Sequence, residues 1–98
     1  MIGVIANIKI KENKNKEFEQ VAKLLVDAVN SNEKENIYYR LYKKNNTFYV
    51  MLEGYQSRSS LDYHTKTDHY KKYGKQMAEF LDGPPEVIIM DEISSSWF

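Results

Sequence analysis

IYYRLYKKNNTFYVMLEGY, residues 37–55, is the stretch that decides the fold. Two runs rich in aromatic and aliphatic residues, Ile37 to Lys43 and Phe48 to Tyr55, flank Lys44-Asn45-Asn46-Thr47, and paired asparagines tolerate the positive φ of a tight hairpin turn. The pattern predicts a β-hairpin. Ile37, Tyr39 and Leu41 share one face of its first strand and Tyr38, Arg40 and Tyr42 the other. On the second strand Phe48, Val50 and Leu52 oppose Tyr49, Met51, Glu53 and Tyr55, so neither side of the hairpin is plainly solvent-facing.

On the N-terminal side, Ile2, Val4, Ala6, Ile8 and Ile10 alternate with Gly3, Ile5, Asn7 and Lys9, a period of two that predicts a strand. Asn7 is a small amide among residues able to be buried, and either bonds a neighbouring backbone or faces a ligand. After a polar turn at Lys11 to Lys16 the period changes. Phe18, Val21, Ala22, Leu25, Ala28 and Val29 form one stripe of an amphipathic helix ending near Asn30 to Asn32, with Asn13 or Asn15 as its cap. On the C-terminal side, Ser57 to His64 predicts a short helix capped by Ser57 or Ser59, and Thr65 to Thr67 interrupts it. Tyr70, Tyr73, Gly74, Met77, Phe80 and Leu81 resume the helical stripe up to the stop signal Gly83-Pro84-Pro85. A last strand is predicted over Glu86 to Ile93, followed by a tail, Ser94 to Phe98, that carries Trp97 and Phe98.

The order is β-α-β-β-α-β with the second helical region broken in two. This is the α+β, ferredoxin-like arrangement, a four-stranded antiparallel sheet with helices on one face, in a single domain over residues 1–98. Two helical layers cover one sheet face only. The other would expose Ile, Val, Tyr and Met side chains over more than the few hundred Å² a monomer usually shows, so a homodimer packed through the sheet face is expected.

Composition narrows the function. The 98 residues carry 14 basic and 14 acidic side chains, which leaves no net charge to attract nucleic acid or an anionic membrane. The absence of cysteine removes disulfides, thiol nucleophiles and thiolate metal sites together. The N-terminal MIGVIANIKIK places apolar residues before lysines, the reverse of a secretion signal, and no apolar run approaches the ~18 residues of a membrane span. A cytoplasmic protein with neither nucleic-acid nor membrane partners is expected.

The histidines are two, His64 and His69. They lie five apart across a predicted break, not at the i, i+4 spacing of two ligands on one helix face, and no adjacent acid completes a set, so no metal is expected. Glu53-Gly54-Tyr55, Ser60-Leu61, His64 and Asp68-His69-Tyr70, preceded by a turn Lys11-Glu12-Asn13-Lys14 and an early helical Phe18, resemble the antibiotic biosynthesis monooxygenase family of dimeric α+β barrels, which includes cofactor-free quinol and anthrone oxygenases. The family's Glu-Trp is replaced here by Glu53-Gly54-Tyr55, and its Pro-Gly by residues that include Asn13, an asparagine able to adopt the left-handed conformation. Haem-degrading enzymes of the same fold share Asn7, but the positions of their Trp and haem-ligating His fall near His64 and Gly74.

The resemblance implies a cofactor-independent monooxygenase that oxidises a small quinol or polyphenolic aromatic with dioxygen. The substrate, once deprotonated, does the redox work, and the protein supplies an apolar cavity, a base and hydrogen-bond donors. His64 is the implied base with Asn7 as its catalytic partner, His69, Tyr55, Tyr73 and Met77 line the substrate site, and Glu53 is a structural signature. A competing reading makes His64 a structural partner of Glu53, tying the short helix to the strand, and makes the domain a non-catalytic barrel that binds a small hydrophobic molecule or a protein. Family members that isomerise small signalling molecules supply a third reading.

Overall fold

The computed structural model describes residues 1–93; the tail with Trp97 and Phe98 lies outside the described residues. The elements run β1 (Ile2–Lys9), α1 (Asn15–Asn32), β2 (Asn36–Asn45), β3 (Phe48–Tyr55), α2 (Arg58–Lys66), α3 (Asp68–Ala78) and β4 (Glu86–Asp91). The strands form one antiparallel sheet in the order β2-β3-β1-β4, with the helices on one face, the ferredoxin-like arrangement that the alternating periods predict.

Side-chain parity assigns the faces. Val4, Ala6 and Ile8 of β1, Tyr39 of β2 and Tyr49, Met51, Glu53 and Tyr55 of β3 are buried toward the helices. Against them α1 lays Phe18, Ala22, Leu25 and Val29, each essentially without solvent contact. Burying a side chain of this size stabilises the fold by roughly 1.5–3 kcal/mol, so this stripe anchors α1. The partly buried Tyr73, Met77, Phe80 and Leu81 edge the same core. Leu81 bridges to Ile10, which fastens the chain after α3 back to the end of β1.

Several turns differ from expectation in their chemistry. The hairpin forms, but neither asparagine of its turn has a positive φ. Asn45 Oδ1 instead accepts from the Thr47 backbone N–H at 3.0 Å, and the strand register shifts between Lys43 and Asn45. Asn13 does adopt the left-handed conformation, with φ of 65°. Neither it nor Asn15 caps α1: the Asn15 amide donates to the Asn46 carbonyl and to the Tyr49 hydroxyl, which ties the helix start to the hairpin. Ser57 caps α2 by accepting from the Ser60 N–H, and Thr67 ends α2 and caps α3. The last strand stops at Asp91, short of Ile93.

The uncovered face of the sheet carries Gly54, paired directly with Tyr38 across the β2–β3 ladder. A Cβ added at Gly54 would sit 2.3 Å from Tyr38 Cε2, so the glycine is a seat for the tyrosine ring. Gly54→Ala is expected to eject Tyr38 from that seat and destabilise the chain by about 1–3 kcal/mol, measured as a lowered midpoint in urea unfolding; an unchanged midpoint would show that the ring can be rehoused at no loss.

Candidate active site

Between the helix-side face of the sheet and the α2–α3 pair lies a cavity of ~390 Å³. It exists because the second helical layer spans the sheet without filling the gap. Among the described residues α3 has no fully buried side chain, and a Cβ at Gly74, which borders the cavity, would meet no atom within 4 Å. The walls are mainly apolar, with Val4, Ala6 and Met51 from the sheet and Leu61 and Met77 from the helices. Into this lining project Glu53 from β3 and His64 from α2, with Tyr39 and Tyr70 beside them.

His64 is held from behind. Its Nδ1 lies 3.0 and 2.9 Å from the two carboxylate oxygens of Glu33, the residue that terminates α1, and Glu33 Oε2 lies 2.5 Å from His69 Nε2 at the start of α3. A carboxylate only accepts hydrogen bonds, so the two ring nitrogens that face it carry the protons. The His64 Nε2 has no protein partner among the described residues, yet it is not a buried orphan, because the ring borders the cavity. The rings of Tyr39, Tyr55 and Tyr70 surround the imidazole at centroid distances of 5.2, 5.4 and 4.8 Å. Burial pushes the His64 imidazole below its usual proton affinity, against the opposing pull of Glu33. The ring is therefore neutral near pH 7, with its open nitrogen able to accept.

Glu53 is the second titratable group of the cavity. Burial raises its carboxyl to about 7, although a 2.6 Å hydrogen bond from the Tyr55 hydroxyl works in the other direction. Burial, followed by the proximity of Glu53, raises the Tyr55 hydroxyl far above its ordinary value and keeps it a donor. The Tyr39 hydroxyl is raised for the same two reasons.

The structure separates several residues that the sequence reading grouped together. Asn7 does not meet His64: it lies on the opposite face of the sheet, where its amide donates to Glu86 Oε1 at 2.9 Å. Its odd position in β1 puts it out of phase with Val4, Ala6 and Ile8. The partner of His64 is Glu33, not Glu53, and Glu53 bonds Tyr55 instead. Met77 lines the cavity, whereas His69 turns to Glu33 and to a surface hollow shared with Asn32, Tyr63 and Lys66. Tyr55 sits behind the wall against Val4 and Leu61, and Tyr73 packs on the core edge with Lys72 over its ring. Glu33 had no signal of its own within the polar run Asn30 to Glu35, except that a carboxylate at a helix C-terminus opposes the helix dipole and so needs nearby donors.

The ligand atoms of Glu33, His64 and His69 lie within 4.8 Å of one another, so the acid missing from the local sequence is supplied by α1, and these three residues could hold a metal. Bonds of ~2.0–2.2 Å to a tetrahedral ion would set ligand atoms about 3.3 Å apart. The contacts of 2.5–3.0 Å are those of a hydrogen-bonded cluster instead.

A carboxyl raised from 4.5 to about 7 makes a signed contribution to stability. Below pH 4.5 the group is protonated whether the chain is folded or not. Between 4.5 and about 7 the unfolded chain ionises first, and stability falls as pH rises, by an amount on the order of 3 kcal/mol over the window. Subtracting the unfolding free energies of Glu53→Gln from those of the parent across this range should recover the slope; a flat difference would show that Glu53 ionises normally in the fold.

Among the described residues no helix is long and apolar enough to cross a membrane. Residues 1–76 match the model of the antibiotic biosynthesis monooxygenase family. A Caulobacter crescentus protein provisionally assigned to antibiotic biosynthesis monooxygenases superposes with a TM-score of 0.89 at 34% identity, over 95% of this chain and 90% of that one. A conserved protein of Methanosarcina mazei gives 0.88 at 31% identity, over 94% and 92% of the two chains. A Nitrosomonas europaea protein, also provisionally assigned to antibiotic biosynthesis monooxygenases, gives 0.87 at 20% identity over 96% and 100%, a likeness of fold. No curated protein matches the chain in sequence. These similarities support a general monooxygenase-like function, and the resemblance read from Glu53 to Tyr70 holds: the chain belongs to the antibiotic biosynthesis monooxygenase family.

Proposed function

We propose that the chain is a cofactor-independent monooxygenase acting on a small quinol or polyphenolic aromatic. The observation that carries this reading is an apolar cavity of ~390 Å³ in which a neutral imidazole and a carboxyl titrating at about 7 are the acid–base groups of the sheet and α2. A phenolic O–H directed at His64 Nε2 gives up its proton there, and the resulting anion is electron-rich enough to pass an electron to dioxygen. Recombination of the radical pair forms a carbon–oxygen bond. Loss of water from the peroxide then leaves one oxygen atom in the product and sends the other out with two hydrogens of the substrate. Glu53 in its protonated form is a donor for the peroxide oxygens, and Tyr55 stabilises it when it is ionised.

Oxygen uptake with a panel of quinols, with product mass as the second readout, tests this. The expected result is one oxygen atom gained per substrate, and a fall in kcat/KM of about 10²–10⁴-fold in His64→Ala. Uptake absent with every quinol, or product of unchanged mass, would remove the reading.

The proposed enzyme is a homodimer. Ile5, Val50 and Leu52 lie on the sheet face away from the helices, and beside them Ile88 and Met90 of β4 are 40% and 41% exposed. An apolar β-sheet face of this kind is a surface for a second copy. Light scattering at micromolar concentration should give twice the chain mass, and replacing Ile88 by Lys should return it to the monomer value; a parent protein that scatters as a monomer would refute the dimer.

A further inference from the structure

A base that works from inside an apolar cavity needs its proton-accepting nitrogen aimed at the ligand and its positive charge, once formed, balanced nearby. The tyrosines around His64 do not meet the first need, because Tyr39, Tyr55 and Tyr70 present rings to the imidazole. Glu33 meets both. Both of its oxygens face Nδ1 and its side chain is 2% exposed, so the hydrogen bond is shielded from competing water. The carboxylate is not free to turn, because His69 Nε2 holds Oε2 at 2.5 Å from the other side while the His69 side chain stays 17% exposed. Glu33 is also fixed at its backbone, where its N–H donates to the Val29 carbonyl at the end of α1.

We propose that Glu33, clamped by His69, is the positioning residue of His64: it fixes the Nδ1–H tautomer, presents Nε2 to the cavity and balances the imidazolium formed there. The proposal rests on the reading of His64 as the base. Neither Glu33 nor His69 touches the ligand, and both act through the imidazole, as a carboxylate does for a histidine in an acid–base pair. The charged or titratable groups around His64 are Glu33 from α1, Tyr39 from β2, Glu53 and Tyr55 from β3, and His69 and Tyr70 from α3. Of these Glu33 is the carboxylate in hydrogen-bond contact with the ring.

Long-range ¹H–¹⁵N correlation NMR of the full chain reads the tautomer and titration of His64 directly. The parent is expected to show one neutral tautomer, protonated at Nδ1 and bare at Nε2. In Glu33→Gln, which keeps the shape and loses the charge, the proton affinity of His64 should fall at least about tenfold. Glu33→Asp should restore part of it, and it serves as the second variant should the amide not fold. His69→Ala, which frees the carboxylate to turn, should let both neutral tautomers of His64 appear, and a single Nδ1–H tautomer in that variant would remove His69 from the clamp. A clamp that merely holds three helices together would lower the unfolding midpoint of Glu33→Gln while the His64 tautomer and titration stayed as in the parent, and that result overturns the proposal. So does a parent His64 protonated at Nε2, or stoichiometric binding of Zn²⁺ to the parent with loss of the Nδ1–H signal. Tautomer and titration as expected, with oxygen uptake undiminished in His64→Ala, would leave the positioning intact and remove His64 as base.

Discussion

One buried carboxylate joins all three helices. Glu33 ends α1, His64 belongs to α2 and His69 to α3, and their side chains meet within hydrogen-bond distance although each comes from a different element. Hydrogen bonds to a charged group are among the stronger ones a protein makes, and a buried carboxylate stripped of its donors would be left with a large desolvation penalty. The helical layer is thus fixed by a polar contact where its apolar packing is thinnest. The hydrophobic stripe of α1 secures that helix to the sheet, but α3 contributes no fully buried side chain among the described residues, and the clamp and the Leu81–Ile10 bridge supplement the partly buried Tyr73 and Met77 in holding it.

That division of labour explains why a cavity and the cluster of titratable groups occupy the same place. A layer packed by large apolar side chains alone would close onto Val4, Ala6 and Met51. Holding α2 and α3 by their ends keeps the space beneath them open, and the groups that do the holding also set the chemistry of the wall. Burial is the common cause of both titration effects: it lowers the proton affinity of His64 and raises that of Glu53, which brings a neutral acceptor together with a carboxyl that changes its protonation near physiological pH.

What was legible in the sequence was local. The change of period, which falls at Asn15 rather than Glu17, the hairpin, a serine cap on α2, which is Ser57, and the left-handed Asn13 each depend on a few neighbouring residues and are present in the structure, whereas the break expected over Thr65 to Thr67 narrows to Thr67, because α2 continues through Lys66. The turn chemistry between β2 and β3 was misjudged because asparagine serves two purposes, positive φ and side-chain acceptance, and here the second operates. The site was only half legible. His64 and Glu53 were singled out, but the pairing with Asn7 ignored which parity of β1 faces the helices, a choice obscured by Ile5 on the far side. Glu33 was invisible, since the burial of an acid in a polar run becomes apparent only once three helices have converged.

β4 pairs with β1 alone, and its apolar side chains are exposed on both faces among the described residues. It is the least buttressed part of the sheet, yet Pro85 and Val87 at its start also wall the cavity. Whatever steadies that strand therefore steadies the cavity, and the converse holds with equal strength. In the proposed dimer, occupancy of the cavity and covering of β4 are linked functions in the thermodynamic sense, each raising the other's equilibrium constant by the same factor. In the proposed dimer, ligand affinity is a property of protein concentration as well as of side chains.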